Sequence, residues 1–180
     1  MPCGEMSTGV CGVAETLSDT GPPLHLHEIG RLALMVSVMP LIFPELVWNE
    51  VQSRGLTRSL LARSGIEHDI RPVEEGSWKT ALAAAHPFRI QPADAQVFAL
   101  ASASNFQALV LTDDLALRNA LEARGVTVTG SVGLLIRGYS SKHLSRREME
   151  MAVESLMETS TLHLSPAFRA YLRKLIADLP

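Results

Sequence analysis

Two cysteines, Cys3 and Cys11, are all the thiol that this chain of 180 residues carries. Both lie near its start, which leaves no disulfide framework and no spacing suited to zinc. Long apolar runs are missing too: each is broken by Gly, Pro or charge before the roughly 18 residues that a membrane span needs. Residues 1–8 include Glu5 but no Lys or Arg, so they lack the charged start of a secretory signal. No repeat, low-complexity tract or Pro/Gly/Ser linker divides the chain. A basic excess is also absent: 16 Lys and Arg stand against 19 Asp and Glu, a net charge of −3. That balance excludes the broad positive field of a protein that coats duplex nucleic acid. It leaves room for local contact with RNA, because a cation can bring positive charge to the phosphate. The expectation is a cytoplasmic protein without a membrane partner.

What is present is ordinary globular composition, 47% hydrophobic and 19% charged. A chain near this length buries about 70% of its unfolded surface as one domain. We therefore expect a single domain over 1–180, with residues 1–12 mobile and 142–180 a helical extension. A short mixed run at 13–17 ends in Ser18-Asp19-Thr20-Gly21-Pro22-Pro23, a strong turn signal. Residues 24–35 read as a helix and the apolar stretch 36–43 as a buried strand, despite Pro40. Pro44 opens a helix to residue 54, and an extended segment is expected at 66–73 among helical pieces. Then follow a helix at 92–104, a strand at 108–112, a helix at 115–124 closed by Gly125, and a strand at 126–129. Ser131, Ser145 (with Glu148 as a capping-box partner) and Ser165-Pro166 each mark a helix start. Strands alternating with helices imply an α/β fold, with a parallel sheet covered on both faces.

In open parallel sheets ligands bind beyond the carboxyl ends of the strands. Two expected strands end in acid, one at Asp19 and one at Asp113-Asp114. Either could be an ordinary turn residue or helix cap. Two helices add acids on their inward faces. Glu50 follows Leu46 by four and Val47 by three; Asp94 precedes Val97 by three and Phe98 by four. A desolvated carboxylate costs several kcal/mol unless a cation or donors compensate it. One such residue is usually paired with an arginine, here Arg54 or Arg89. Two of them, together with two acidic strand ends, suit a hard cation that prefers oxygen, Mg²⁺ or Mn²⁺.

The order and setting of these acids resemble the PIN-domain family: Asp19 in LSDTGP, Glu50 in PELVWNEV, Asp94 in PADAQVFALA, and LVLTDD followed by LALR. The phrase GVTVTGSVGLLIRG is similar to the end of that family's sheet. The resemblance implies a three-layer α/β/α sandwich with a central parallel sheet and an Mg²⁺- or Mn²⁺-dependent ribonuclease. It implies catalytic carboxylates at Asp19, Glu50, Asp94 and Asp114, with Asp113 as a neighbouring or substitute metal ligand. Thr20 and Thr112 would be polar supports. Many small members are toxin halves of toxin–antitoxin pairs, so RNA, an antitoxin protein and a second copy in a homodimer are the implied partners. Arg54, Arg58 and Arg63 along one rim, with Arg118 on the helix after Asp114, are candidate substrate contacts.

Other readings fit less well. Asp19-Thr20-Gly21 is the tripeptide of aspartic proteases, which need two copies in an all-β setting. A haloacid-type phosphatase needs an Asp where Gly21 stands, and a receiver domain needs a late strand-end Lys. His25 and His27 point in different directions on a helix and are not joint ligands, while Trp48 and Phe98 read as core. The alternative from another class is a PIN-like module that binds nucleic acid or protein without cutting.

Overall fold

The computed structural model describes residues 15–179, so the expected mobile segment at 1–12 lies outside the described residues. Five short strands form one all-parallel sheet: β1 (Thr16–Ser18), β2 (Leu41–Pro44), β3 (His68–Arg71), β4 (Leu109–Leu111) and β5 (Val128–Thr129). Their order is β3-β2-β1-β4-β5. Parallel neighbours need crossovers, and helices supply them. The helices are α1 (Gly21–Glu28), α2 (Glu45–Ser53), α3 (Arg58–Arg63), α4 (Glu75–Ala84), α5 (Pro92–Ala103), α6 (Leu115–Glu122), α7 (Ser131–Ser140), α8 (Arg146–Glu158) and α9 (Pro166–Ala177). One group, α2, α4, α5 and α6, packs around α5, which lies against β1 and β2; another links α1, α7, α8 and α9. The result is the expected three-layer sandwich. From β1 the chain winds outward through β2 and β3, then returns to β1's other side for β4 and β5. The strand order therefore reverses between β1 and β4, where α/β sheets open a crevice.

Local chemistry explains the boundaries, including two that differ from expectation. Pro22 and Pro23 fall in the first turn of α1, where a missing N–H costs nothing, so the helix begins at Gly21. It ends early because Gly30 takes a left-handed φ of 67°. The helix expected at 24–35 is thus α1 followed by a 3₁₀ segment, Leu32–Val38, and that segment also takes the first half of the strand expected at 36–43. Pro40 donates no hydrogen bond, and the ladder starts at Leu41, whose N–H meets the Glu67 carbonyl at 3.1 Å. Ser145 forms the expected capping box with Glu148, and Ser165 caps α9 just ahead of Pro166.

The central strands are almost wholly inaccessible: Leu17 is 1% exposed, and Leu41, Phe43, Val110 and Leu111 are each 0% exposed. The same core extends into the C-terminal helices through Met149, Val153, Leu156 and Leu172. Arg146 binds the last carbonyls of α9, and Arg173 pairs with Glu154, closing α8 on α9. Phe168, expected in the buried stripe, is instead exposed and stacks on Tyr171. Among the described residues no helix is long and apolar enough to cross a membrane.

Candidate metal centre

Asp19 is delivered by β1. Its backbone N–H still joins the sheet, donating to the Leu111 carbonyl at 2.9 Å, while its side chain stands at the reversal point. The residue is only 6% exposed. Oδ1 accepts from the Thr20 N–H at 2.6 Å and Oδ2 accepts from the Thr112 hydroxyl at 2.7 Å. Thr112 is fully buried at the end of β4, and the same oxygen accepts from the Asp114 N–H at 3.0 Å. One hydroxyl therefore joins the two acidic strand ends.

Asp94 sits in the first turn of α5 and is 7% exposed, as its helical spacing requires. Its Oδ2 accepts from the Gln91 N–H at 2.8 Å, so the carboxylate also closes a helix start. Asp114 caps α6 by accepting from the Leu117 N–H at 2.8 Å. Glu50 differs from expectation: it is exposed. The buried stripe of α2 is narrow, Val47, Trp48 and Val51, and leaves Glu50 on the flank that borders the strand ends. There the Thr20 hydroxyl donates to Glu50 Oε2 at 2.7 Å and keeps the carboxylate beside the Asp19 turn.

Electrostatics show which of these acids feel one another. Burial pushes the Asp19 carboxyl up to about 7, and the charges of Asp94 and Asp114 push it the same way against the donors Thr112 and Thr20. Burial likewise lifts Asp94 to about 6, assisted by the charges of Asp114 and Glu50 and opposed by the Gln91 N–H. Among the described residues no Lys or Arg lies within ion-pair distance of Asp19, Glu50, Asp94 or Asp114. Neither Arg54 nor Arg89 fills that role. The donor set is all oxygen and its negative charge is unopposed by side chains, which fits a hard divalent cation. The expected tight convergence is not met, however. Among the described residues no three Asp, Glu, His or Cys side chains stand close enough to hold one ion.

Asp113 departs from its expected place as a ligand. Successive side chains leaving a strand point to opposite sides, and Asp113 turns from Asp114 toward α1 and α7. It meets His25 Nδ1 at 2.7 Å and the Ser131 N–H at 2.8 Å. Ser131 begins α7 as expected, and its N–H is taken by Asp113 from outside the helix. His25 is buried and His27 exposed, so the two histidines do diverge. Arg118, expected at substrate, donates its guanidinium to the Thr112 carbonyl at 2.9 Å and so braces the turn. Arg54, Arg58 and Arg63 are exposed, with Arg58 lying 5.6 Å over the Trp48 ring. Sequence reasoning missed Gln96, buried on α5, whose Oε1 accepts from the Leu46 N–H at 2.9 Å at the start of α2. A polar residue among the apolar positions of α5 was its available signal.

Beside Glu50 an open cleft of about 480 Å³ runs between α2 and the start of α5, lined by Leu46, Asn49, Ser53, Gln91 and Ala93. No curated protein matches the chain. The family model described as a PIN domain matches residues 15–177. With that match spanning the sheet, both acidic strand ends and the C-terminal helices, the chain belongs to the PIN-domain family.

Proposed function

We propose that this protein is a metal-dependent endoribonuclease that hydrolyses RNA phosphodiester bonds at the strand-end carboxylates. The observation that carries this is the cluster itself: two buried acids and two at the rim, with no basic side chain among the described residues to balance them. Such a cluster repels a phosphodiester unless a cation reverses the local sign. A bound Mg²⁺ or Mn²⁺ supplies that charge, acidifying a water and offsetting the negative charge that builds on the phosphate oxygens.

Asp19 and Asp114 would hold the cation most closely, and Asp94 directly or through water. Thr112 keeps Asp19 and the Asp114 turn in register, and Thr20 steadies both Asp19 and Glu50. Glu50, open to solvent, orients the attacking water and takes its proton as the water oxygen bonds to phosphorus. The bond from phosphorus to the leaving ribose oxygen breaks, and that oxygen is reprotonated from solvent. The cleft beside Glu50 would take the adjoining single strand, with Arg54 and Arg58 meeting its phosphates.

The test is cleavage of single-stranded RNA by pure protein with Mn²⁺ or Mg²⁺, with EDTA, and with Asp19→Asn or Asp114→Asn. Metal-dependent cutting lost in both variants while the fold persists is the expected result. RNA binding without cutting in any variant would support the non-catalytic reading instead. The proposal extends to a toxin-like component held by an antitoxin protein and working as a homodimer. Growth arrest by wild type but not Asp19→Asn tests the former, and light scattering the latter.

A further inference from the structure

The acid that the cluster excludes is the most tightly engaged of the set. Asp113 Oδ2 faces His25 Nδ1 at 2.7 Å and also accepts from the Ser131 hydroxyl; Oδ1 accepts from the Ser131 N–H at 2.8 Å. The Asp113 and His25 side chains are 10% and 11% exposed, and Ser131 is fully buried. Two glycines let the backbone close around this carboxylate. A Cβ on Gly21, two residues after Asp19, would stand 3.3 Å from Asp113 Cβ and 3.3 Å from His25 Cε1. A Cβ on Gly130 would collide with Asp113 Oδ1 and approach the Thr112 carbonyl at 3.0 Å.

These contacts connect three chain segments at one place. His25 belongs to the helix that leaves the Asp19 turn, Asp113 immediately precedes Asp114, and Ser131 opens α7 after β5. A buried carboxylate is costly to retain where a neutral residue could fill the space. Here it is retained with donors on both oxygens and packed against the Asp19-Thr20-Gly21 turn. We propose that Asp113 is a positioning residue that locks the turn after β1 to the turn after β4, fixing the spacing of Asp19 and Asp114 and thereby the affinity for the cation. This rests on the metal-site reading above. Groups that orient a ligand from behind commonly change metal affinity by about 10–100-fold when removed.

The experiment is Mn²⁺ titration by calorimetry on the full chain, together with amide exchange of the metal-free protein. Asp113→Ala should weaken Mn²⁺ binding by about 10–100-fold, and Gly130→Ala, which removes no polar group but displaces the carboxylate, should do the same. Asp113→Asn should stay near wild type, because its amide can still accept from the Ser131 N–H while donating to the Ser131 hydroxyl or an unprotonated His25 Nδ1. Equal loss in Asp113→Asn and Asp113→Ala would make Asp113 a ligand and overturn the proposal. So would unchanged affinity in Asp113→Ala with a lowered melting temperature, the signature of a mere helix cap; Leu172→Ala, far out on α9, provides that pattern as a control. In the metal-free protein, Asp113→Ala should speed exchange at the Thr20 and Asp114 amides, and the control should not. If wild type binds no Mn²⁺, the metal reading fails, and exchange alone decides whether the two turns are locked. Unchanged exchange there refutes the lock.

Discussion

A single hydroxyl carries much of the site. Thr112 Oγ1 donates to Asp19 and accepts from the Asp114 N–H, so Thr112→Val keeps the shape and strands two polar groups. Each stranded group costs about 1–3 kcal/mol, and at this chain length about 2–4 °C of Tm accompanies each kcal/mol. Thr112→Val should therefore lower the melting temperature by several degrees, and Thr112→Ser should recover most of it; no loss in calorimetry would remove Thr112 from this role. Asp19 makes a prediction about pH. Its folded carboxyl titrates near 7 against an ordinary value of 3.8, so the folded state binds more protons across that window. The contribution of Asp19 to the stability of the metal-free protein should be fully present below pH 4 and be lost as pH rises toward 7. The slope approaches about 1.4 kcal/mol per pH unit for one proton. Asp19→Asn should flatten that decline in urea titrations with EDTA, and an equal slope in both proteins would mean that the acid is not strained. The same residue shows what sequence reveals: Asp19, Asp94 and Asp114 were legible because strand ends and helical spacing are local patterns. The role of Asp113 was not, because its partner His25 lies 88 positions away.

At the scale of elements, what could be read was wherever one local signal acts alone. The Pro-led start of α5, the capping box of α8 and the Gly125 stop of α6 each follow from a few neighbouring residues. The segment from Gly30 to Val38 could not be read that way, since an apolar run there suits helix, 3₁₀ turn and strand alike, and Gly30 and Pro40 decide it. Helix α2 begins at Glu45, one residue after the expected Pro44, and its start depends on a distant residue. Pro44 has no capping side chain, and Gln96 from α5 takes the Leu46 N–H instead. Gln96→Ala should cost about 1–3 kcal/mol and speed amide exchange at the start of α2, with a smaller effect at its end. Uniform exchange along the helix would show that the contact is incidental to the placement of Glu50.

For the molecule as a whole, an ion that binds only the folded state stabilises it by mass action, about 2.7 kcal/mol at 100 times the dissociation constant. Saturating Mn²⁺ should thus raise Tm by roughly 5–10 °C; an unmoved transition with both Mn²⁺ and Mg²⁺ would sink the metal site. The pairing of β1 with β4 carries a further consequence, one about time. The Asp19 and Thr112 side chains meet across 93 positions of chain, and a ribosome adding about 5–20 residues per second takes roughly 5–20 s to cover that stretch. Until the later strand has left the exit tunnel, the earlier acid lacks the Thr112 hydroxyl. A growing polypeptide therefore cannot display the assembled cluster until β4 has emerged, so the order of the strands delays the site while the chain is made beside messenger and ribosomal RNA.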